Sequence, residues 1–205
     1  MKRIIRRGLL MLVAVFVVVI VGCAPQGTEK GSDAAQSATQ VNASAPQTVE
    51  GDVVFVNTSR DPKGNTYAMG EAFLEGVPHK TIFLNDYKIY QLGQHFEGDQ
   101  FNDVVQMLSK ADVIVIGTPV YWHMMSGGLK TFIDRLYELD RPVAALQGKK
   151  LYFLMQGMSP SEETKKQLPY TMSRVANRYD MEYMGAATSM ADMKELQDTL
   201  RNHLR

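Results

Sequence analysis

Two stretches of this chain combine groups that could hold an anion with groups that could hold a flat ring. The first, NTSRDPKGNTYAMG (57–70), offers the hydroxyls of Thr58, Ser59 and Thr66, the Arg60 guanidinium and the Asn65 amide around Gly64. It runs directly into a helical pattern, so the unpaired N–H groups of a helix start would join those side chains in favouring an anion. Neither G-x-x-x-x-G-K-[ST] nor G-x-G-x-x-G is present, which removes the Walker loop and the dinucleotide fingerprint. An ordinary polar loop with Asn65 or Thr66 as the helix cap would have the same composition. The second stretch, GTPVYWHMMSGGLKTFIDR (117–135), stiffens at Pro119 and then presents Val120, Tyr121 and Trp122, the last being the one tryptophan of the chain. The two aromatics offer flat faces for stacking, and loop amides can donate to the carbonyls and nitrogens of a heterocycle. The other reading of the same residues is an aromatic plug under a surface loop.

The elements around these stretches decide whether they meet. Apolar, β-branched runs at 52–57, 80–85, 112–118, 149–156 and 181–188 read as strands, and their continuity fits burial on both faces. Helical spacing at 66–76, 100–111, 126–139, 162–179 and 191–204 places a helix after each strand, with a break or fresh start expected at Pro169. The segment 86–98, with Gly93 and Gly98, reads as irregular. Alternating strands and helices mean a parallel sheet covered on both faces. Five such units predict an α/β, doubly wound, flavodoxin-like sheet of five parallel strands in the order 2-1-3-4-5. Ligands of such sheets bind beyond the carboxyl ends of the strands, where the loops after the first and third strands adjoin. Those loops are the two stretches above. A phosphate cradle beside an aromatic shelf suits a mononucleotide with a large flat base, and FMN is such a molecule.

The chain opens with MKRIIRRGLLMLVAVFVVVIVGCAPQ. Four basic residues, an apolar run from Leu9 to Val21 and a small residue before Cys23 describe an export signal over 1–22. The run is short for a membrane span, which needs about 20 apolar residues. The ending IVGC resembles the bacterial lipobox, which implies lipidation of Cys23 and anchoring on the extracytoplasmic face of a membrane. An uncleaved N-terminal anchor is the alternative, and it gives the same side of the membrane. Residues 24–50, rich in Ala, Ser, Thr, Gln and Gly and free of aromatics, read as a flexible tether spanning roughly 30 Å. The domain is expected over 51–205. Without the four leader positives, 18 Lys+Arg stand against 22 Asp+Glu, so 18 − 22 = −4, a balance that argues against nucleic acid as a partner. No cysteine remains in the domain for a disulfide.

TSRDPKGNT (58–66) and GTPVYWHMMSGGLKTFIDR (117–135) resemble the two cofactor loops of the flavodoxin-like NAD(P)H-dependent FMN reductases and oxidoreductases. The second match is long, and the first runs from Arg60 through Gly64, Asn65 and Thr66. The resemblance implies that Thr58, Ser59, Arg60, Asn65 and Thr66 hold the FMN phosphate. It implies that Pro119, Val120, Tyr121 and Trp122 line the isoalloxazine, with Gln156, Gly157 and Met158 as a third wall by position. It also implies NAD(P)H as donor, a small molecule or protein as electron acceptor, and association into a homodimer. Asn57 and Thr58 replace the Gly-Ser usual there. The iron–sulfur branch of these proteins has a cysteine cluster after the second strand, where this chain has DYKIYQLGQHFEGD (86–99) and no cysteine.

In such chemistry the flavin performs the redox step, so no protein acid or base is named as catalytic. His123 could donate a proton to a reduced acceptor or merely sit on the rim. A lipid-anchored electron carrier without nicotinamide activity is the alternative function. A hydrolase pairing Ser59 with His123 lacks the G-x-S-x-G elbow. The 13 methionines are scattered in a way that suits core filling rather than a metal site. Lys130, Asp134 and Arg135 are spaced for a solvated helical ion pair or a subunit contact.

Overall fold

The computed structural model describes residues 52–140 and 143–204. The expected signal (1–22), Cys23 and the tether to residue 50 lie outside the described residues. Five parallel strands carry the domain: β1 (Val53–Asn57), β2 (His79–Phe83), β3 (Val113–Tyr121), β5 (Lys150–Gln156) and β6 (Glu182–Ala187). A two-residue strand, β4 (Met124–Met125), pairs antiparallel with the end of β3. The sheet order is β2-β1-β3-β5-β6, the flavodoxin-like arrangement, with β1 and β3 adjacent at the switch point.

Burial follows position in the sheet. The residues of β1 are all buried, as are most of those in β3 and β5, whereas the edge strands β2 and β6 are only partly covered. That is why the central strands are unbroken apolar runs. Helices α1 (Asn65–Phe73) and α5 (Met190–His203) cover one face, sealing Phe55, Phe73, Tyr152 and Leu200. The other face holds α2 (Phe101–Ser109), α3 (Gly127–Arg135) and α4 (Glu162–Arg178), closing over Phe101, Leu129, Phe153 and Met172. Gly70 of α1 lies so near β1 that a Cβ there would come within 2.1 Å of the Phe55 ring.

Four expectations are corrected. Pro169 lies inside one uninterrupted α4. The stripe Thr164, Leu168, Met172 and Ala176 is buried against the sheet and holds the helix across the missing hydrogen bond. The segment 119–125 is a hairpin rather than a loop, because β3 runs on to Tyr121 and turns at Trp122-His123. The helix expected to Leu139 ends at Arg135 and tightens into a 3-10 turn over Leu136–Glu138. Arg135 is not solvated with its neighbours. It is 5% exposed, bonds Asp99 at 2.6 Å, Glu138 at 2.7 Å and the Tyr90 carbonyl at 3.0 Å, and lies over the Phe101 ring. Burial works against its charge, yet the Glu138 and Asp99 carboxylates more than offset this, and its pKa is raised. The arginine thereby straps the irregular segment 87–100 to α3. Lys130 and Asp134 do form the exposed i,i+4 pair.

Candidate functional site

The loop after β1 is shaped by its own short polar side chains. Asn57, fully buried, accepts from the Ser59 N–H; Ser59 Oγ accepts from the Asp61 N–H; Asp61 Oδ1 accepts from the Lys63 N–H. Asn85, just past β2, donates to the Ser59 carbonyl at 3.0 Å. These are the local turns Asn, Asp and Ser favour, and they deliver the chain to α1 at a fixed angle. Asn57 was not foreseen as part of the site. Its signal was an amide at the end of a buried strand, where an apolar residue would otherwise stand.

Helix α1 then begins without closure. Its N-cap is Gly64, and no side chain caps it. Within its first turn, Thr66 is 2% exposed and its hydroxyl has no hydrogen-bond partner. A buried hydroxyl left unpaired is destabilising by about 1–3 kcal/mol, so its position calls for an explanation. It lines a cavity of about 370 Å³, within the usual range of roughly 300–1,000 Å³ for small-molecule sites.

Nine of the twelve residues expected around a cofactor line that one cavity. Ser59, Asn65 and Thr66 come from the first loop, Pro119, Val120 and Tyr121 from β3, and Gln156 and Gly157 from the end of β5. Met158, also expected, follows Gly157, and Asp61 and Gly64 complete the wall. The two aromatic-side segments pack closely at their base, since a Cβ on Gly157 would come within 2.9 Å of the Val120 Cβ. The Asp61 carboxylate is unfavourable to an anion, and its tie to the Lys63 N–H answers part of its charge.

Thr58, Arg60 and Trp122 do not line the cavity. Thr58 is buried beneath it: its N–H and hydroxyl both donate to the Gly117 carbonyl, and it accepts from Ser126 Oγ at 3.0 Å. Ser126 Oγ in turn accepts from the Leu129 N–H and caps α3, so the three elements are tied together under the floor. Arg60 is exposed. Trp122 is 96% exposed, because the hairpin turn holds it at φ 51° and His123 at φ 59°. Side chains other than glycine are strained there by about 1–3 kcal/mol each. Anchors on α4 hold the turn: the Thr164 hydroxyl donates to the His123 carbonyl at 2.9 Å, and the Ser161 N–H donates to His123 Nδ1 at 3.4 Å. The Glu163 carboxyl, close by, is held below its usual range by its own backbone N–H, with the Ser161 hydroxyl and His123 adding to the effect. Ser59 and His123 are thus engaged with separate partners, and the serine hydroxyl has no imidazole beside it.

Residues 52–203 match the family described as NADPH-dependent FMN reductase. The chain belongs to that family. Among relatives of this FMN reductase domain is YwqN of Bacillus subtilis (strain 168), provisionally named an NAD(P)H-dependent FMN-containing oxidoreductase, at 29% identity over 91 residues. The matched part is 40% of this chain and 50% of YwqN, so the chain spans half the length of that curated relative. Two solved structures share the fold. An NADH:FMN oxidoreductase in its apo form has a TM-score of 0.59 at 20% identity, over 76% of this chain and 90% of that one. The Trp repressor binding protein of Bacillus subtilis has a TM-score of 0.56 at 18% identity, over 75% and 98%.

Proposed function

We propose that this chain is an FMN-dependent oxidoreductase that draws electrons from NAD(P)H and is held by a lipidated Cys23 on the extracytoplasmic face of a bacterial membrane. The observation that carries the reading is the open start of α1. A family member whose buried Thr66 hydroxyl has no partner, beside an uncapped helix terminus in a cavity of about 370 Å³, is built to receive an anion. The phosphate of FMN would lie against Ser59, Asn65, Thr66 and the first-turn N–H groups. Pro119–Tyr121 and Gln156–Met158 would flank the ring and keep water from it. FMN supplies the electron and hydride chemistry when bound. The chain supplies placement, since no acid or base among the lining residues is needed to move a proton. The export signal, the lipobox-like ending and the tether length support the anchored location.

The test is to extract the full chain from the membrane fraction of producing cells, record its absorption spectrum, and add NADPH or NADH without oxygen. Flavin bands that bleach with a nicotinamide are the expected result. Bands that persist yet bleach with dithionite would assign the lipid-anchored carrier instead. A colourless protein that takes up no added FMN overturns both, and a chain absent from the membrane fraction overturns the anchor. The mass of the same sample in solution reads whether two copies associate, which the resemblance implies.

A further inference from the structure

The methionines of the domain divide by burial. Met69, Met125, Met155, Met172 and Met193 are buried, and Met124, Met158 and Met190 are the exposed ones among the described residues, at 51%, 102% and 60%. Of those three, Met158 alone lines the cavity at the start of α1. Its backbone is held in place, because the preceding Gly157 packs against Val120 and Pro160. Its side chain is given wholly to solvent, whereas Met155, three residues earlier on β5, is sealed in the core. A fixed backbone under an uncovered thioether at the cavity wall is an arrangement that bound FMN would change.

We propose that Met158 is a peroxide-sensitive latch on cofactor loading: as a thioether it closes against bound FMN, and as a sulfoxide it does not. The proposal rests on FMN occupying that cavity. A thioether is apolar, turns about three bonds and makes favourable sulfur–aromatic contacts, so it adapts to a flat ring without a preformed seat. Hydrogen peroxide is the oxidant. The Met158 sulfur forms a bond to one peroxide oxygen, the O–O bond breaks, and the displaced hydroxide takes the proton of the transferred oxygen and leaves as water. The sulfur is oxidised by two electrons, and the peroxide is reduced by the same two. The product is polar and chiral, and its oxygen must give up water to lie against a ring. Bound FMN covers the thioether, so the modification falls on the empty chain. It then hinders loading until the sulfoxide is reduced.

The full chain, freed of FMN and in parallel saturated with it, is treated with hydrogen peroxide, and each methionine is followed by peptide mass mapping. In the FMN-free chain Met158 should gain oxygen faster than Met124 and Met190. FMN should slow Met158 several-fold and leave Met190 unchanged. Flavin fluorescence titration of the oxidised chain should show FMN affinity lowered about tenfold, the loss of a sulfur–aromatic contact together with the burial of a polar oxygen. Methionine sulfoxide reductases of both stereospecificities should restore it. In Met158→Leu the affinity should be the same before and after peroxide, whereas Met190→Leu should respond as wild type does. Oxidation of Met158 at one rate with and without FMN overturns the proposal. So does an affinity unchanged by that oxidation, or a peroxide response that persists in Met158→Leu. A chain that takes up no FMN overturns the proposed function itself, a result read before any peroxide is added.

Discussion

Helix starts in this molecule are of two kinds. Helices α3, α4 and α5 begin at Ser126, Ser161 and Ser189, and each hydroxyl accepts from the N–H three residues on. The start of α2 is served by Asp99, whose carboxylate accepts from the Phe101 N–H. Among the five α-helices of the described residues, only α1 has no side chain at its start, with Gly64 in the cap position and an unpaired hydroxyl at Thr66. A chain that closes four helices with its own oxygens has the means to close the fifth. The exception lies where the loops of β1, β3 and β5 converge, so the missing oxygen is one a ligand would bring.

The strongest way to break this contrast is to close α1. Gly64→Asp places a carboxylate where the phosphate is expected. FMN affinity should fall about 100-fold or more, since like charges brought together cost several kcal/mol. The FMN-free protein should change by only a few tenths of a kcal/mol, because glycine is already a tolerable cap. Asp61 has to yield slightly, as a Cβ at residue 64 would stand 3.1 Å from its own Cβ. Flavin fluorescence titration with a parallel thermal melt measures both quantities. Unchanged affinity would show that the open start has no part in cofactor binding.

Thr66→Val separates the hydroxyl from the helix terminus. Without FMN the variant should be more stable by about 1 kcal/mol, because an isosteric methyl replaces an unsatisfied buried group. With FMN it should bind about tenfold more weakly, the loss of one hydrogen bond to a charged group. Opposite signs in the two measurements are the signature of a group held ready for a ligand. A variant destabilised without FMN would mean that the hydroxyl already has a partner.

How much of this was legible beforehand depends on whether a residue's role follows from its neighbours in sequence. Strand and helix alternation fixed the sheet order, and with it the meeting of Ser59, Asn65 and Thr66 with Pro119–Tyr121 and Gln156-Gly157. Thr58 could not be read this way. It directly follows Asn57, which pairs with Gly117 in the β1–β3 register, so its N–H and hydroxyl are taken by the Gly117 carbonyl. Trp122 was expected to line the ring site, and its outward direction was not legible, since that direction is set by a turn whose positive φ no local signal announces. Pro169 misled because propensity is local, whereas the buried stripe that keeps α4 whole is a tertiary fact. Arg135 misled in the same way: helical spacing shows its neighbours on α3, and its partner Asp99 comes from a segment with no periodicity.

Thr66 is not the only unpaired hydroxyl, and that provides the control. Tyr152 is fully buried in the core between β5 and the α1–α5 layer, packed against Phe73 with ring centres 5.6 Å apart, and its OH also has no partner. It does not line the cavity at the start of α1. Tyr152→Phe should therefore stabilise the protein by about 1 kcal/mol, as Thr66→Val does, yet leave FMN affinity unchanged. The two also differ in alkali. Burial, with the Glu182 charge adding to it, pushes the Tyr152 phenol up to about 12 from its ordinary 10. A pKa raised by folding contributes stability that is whole below the unfolded value and is lost as pH climbs to the folded one. Wild type and Thr66→Val should thus weaken between about pH 10 and 12, and Tyr152→Phe should weaken less. Tyr183, raised by burial to about 12, keeps part of the decline in every variant. Denaturant melts across that range check the alkaline difference; if flavin titration gave Thr66→Val and Tyr152→Phe the same FMN affinity, an unpaired hydroxyl would be a packing fault wherever it occurs. The open start of α1 would then have to be explained without a ligand.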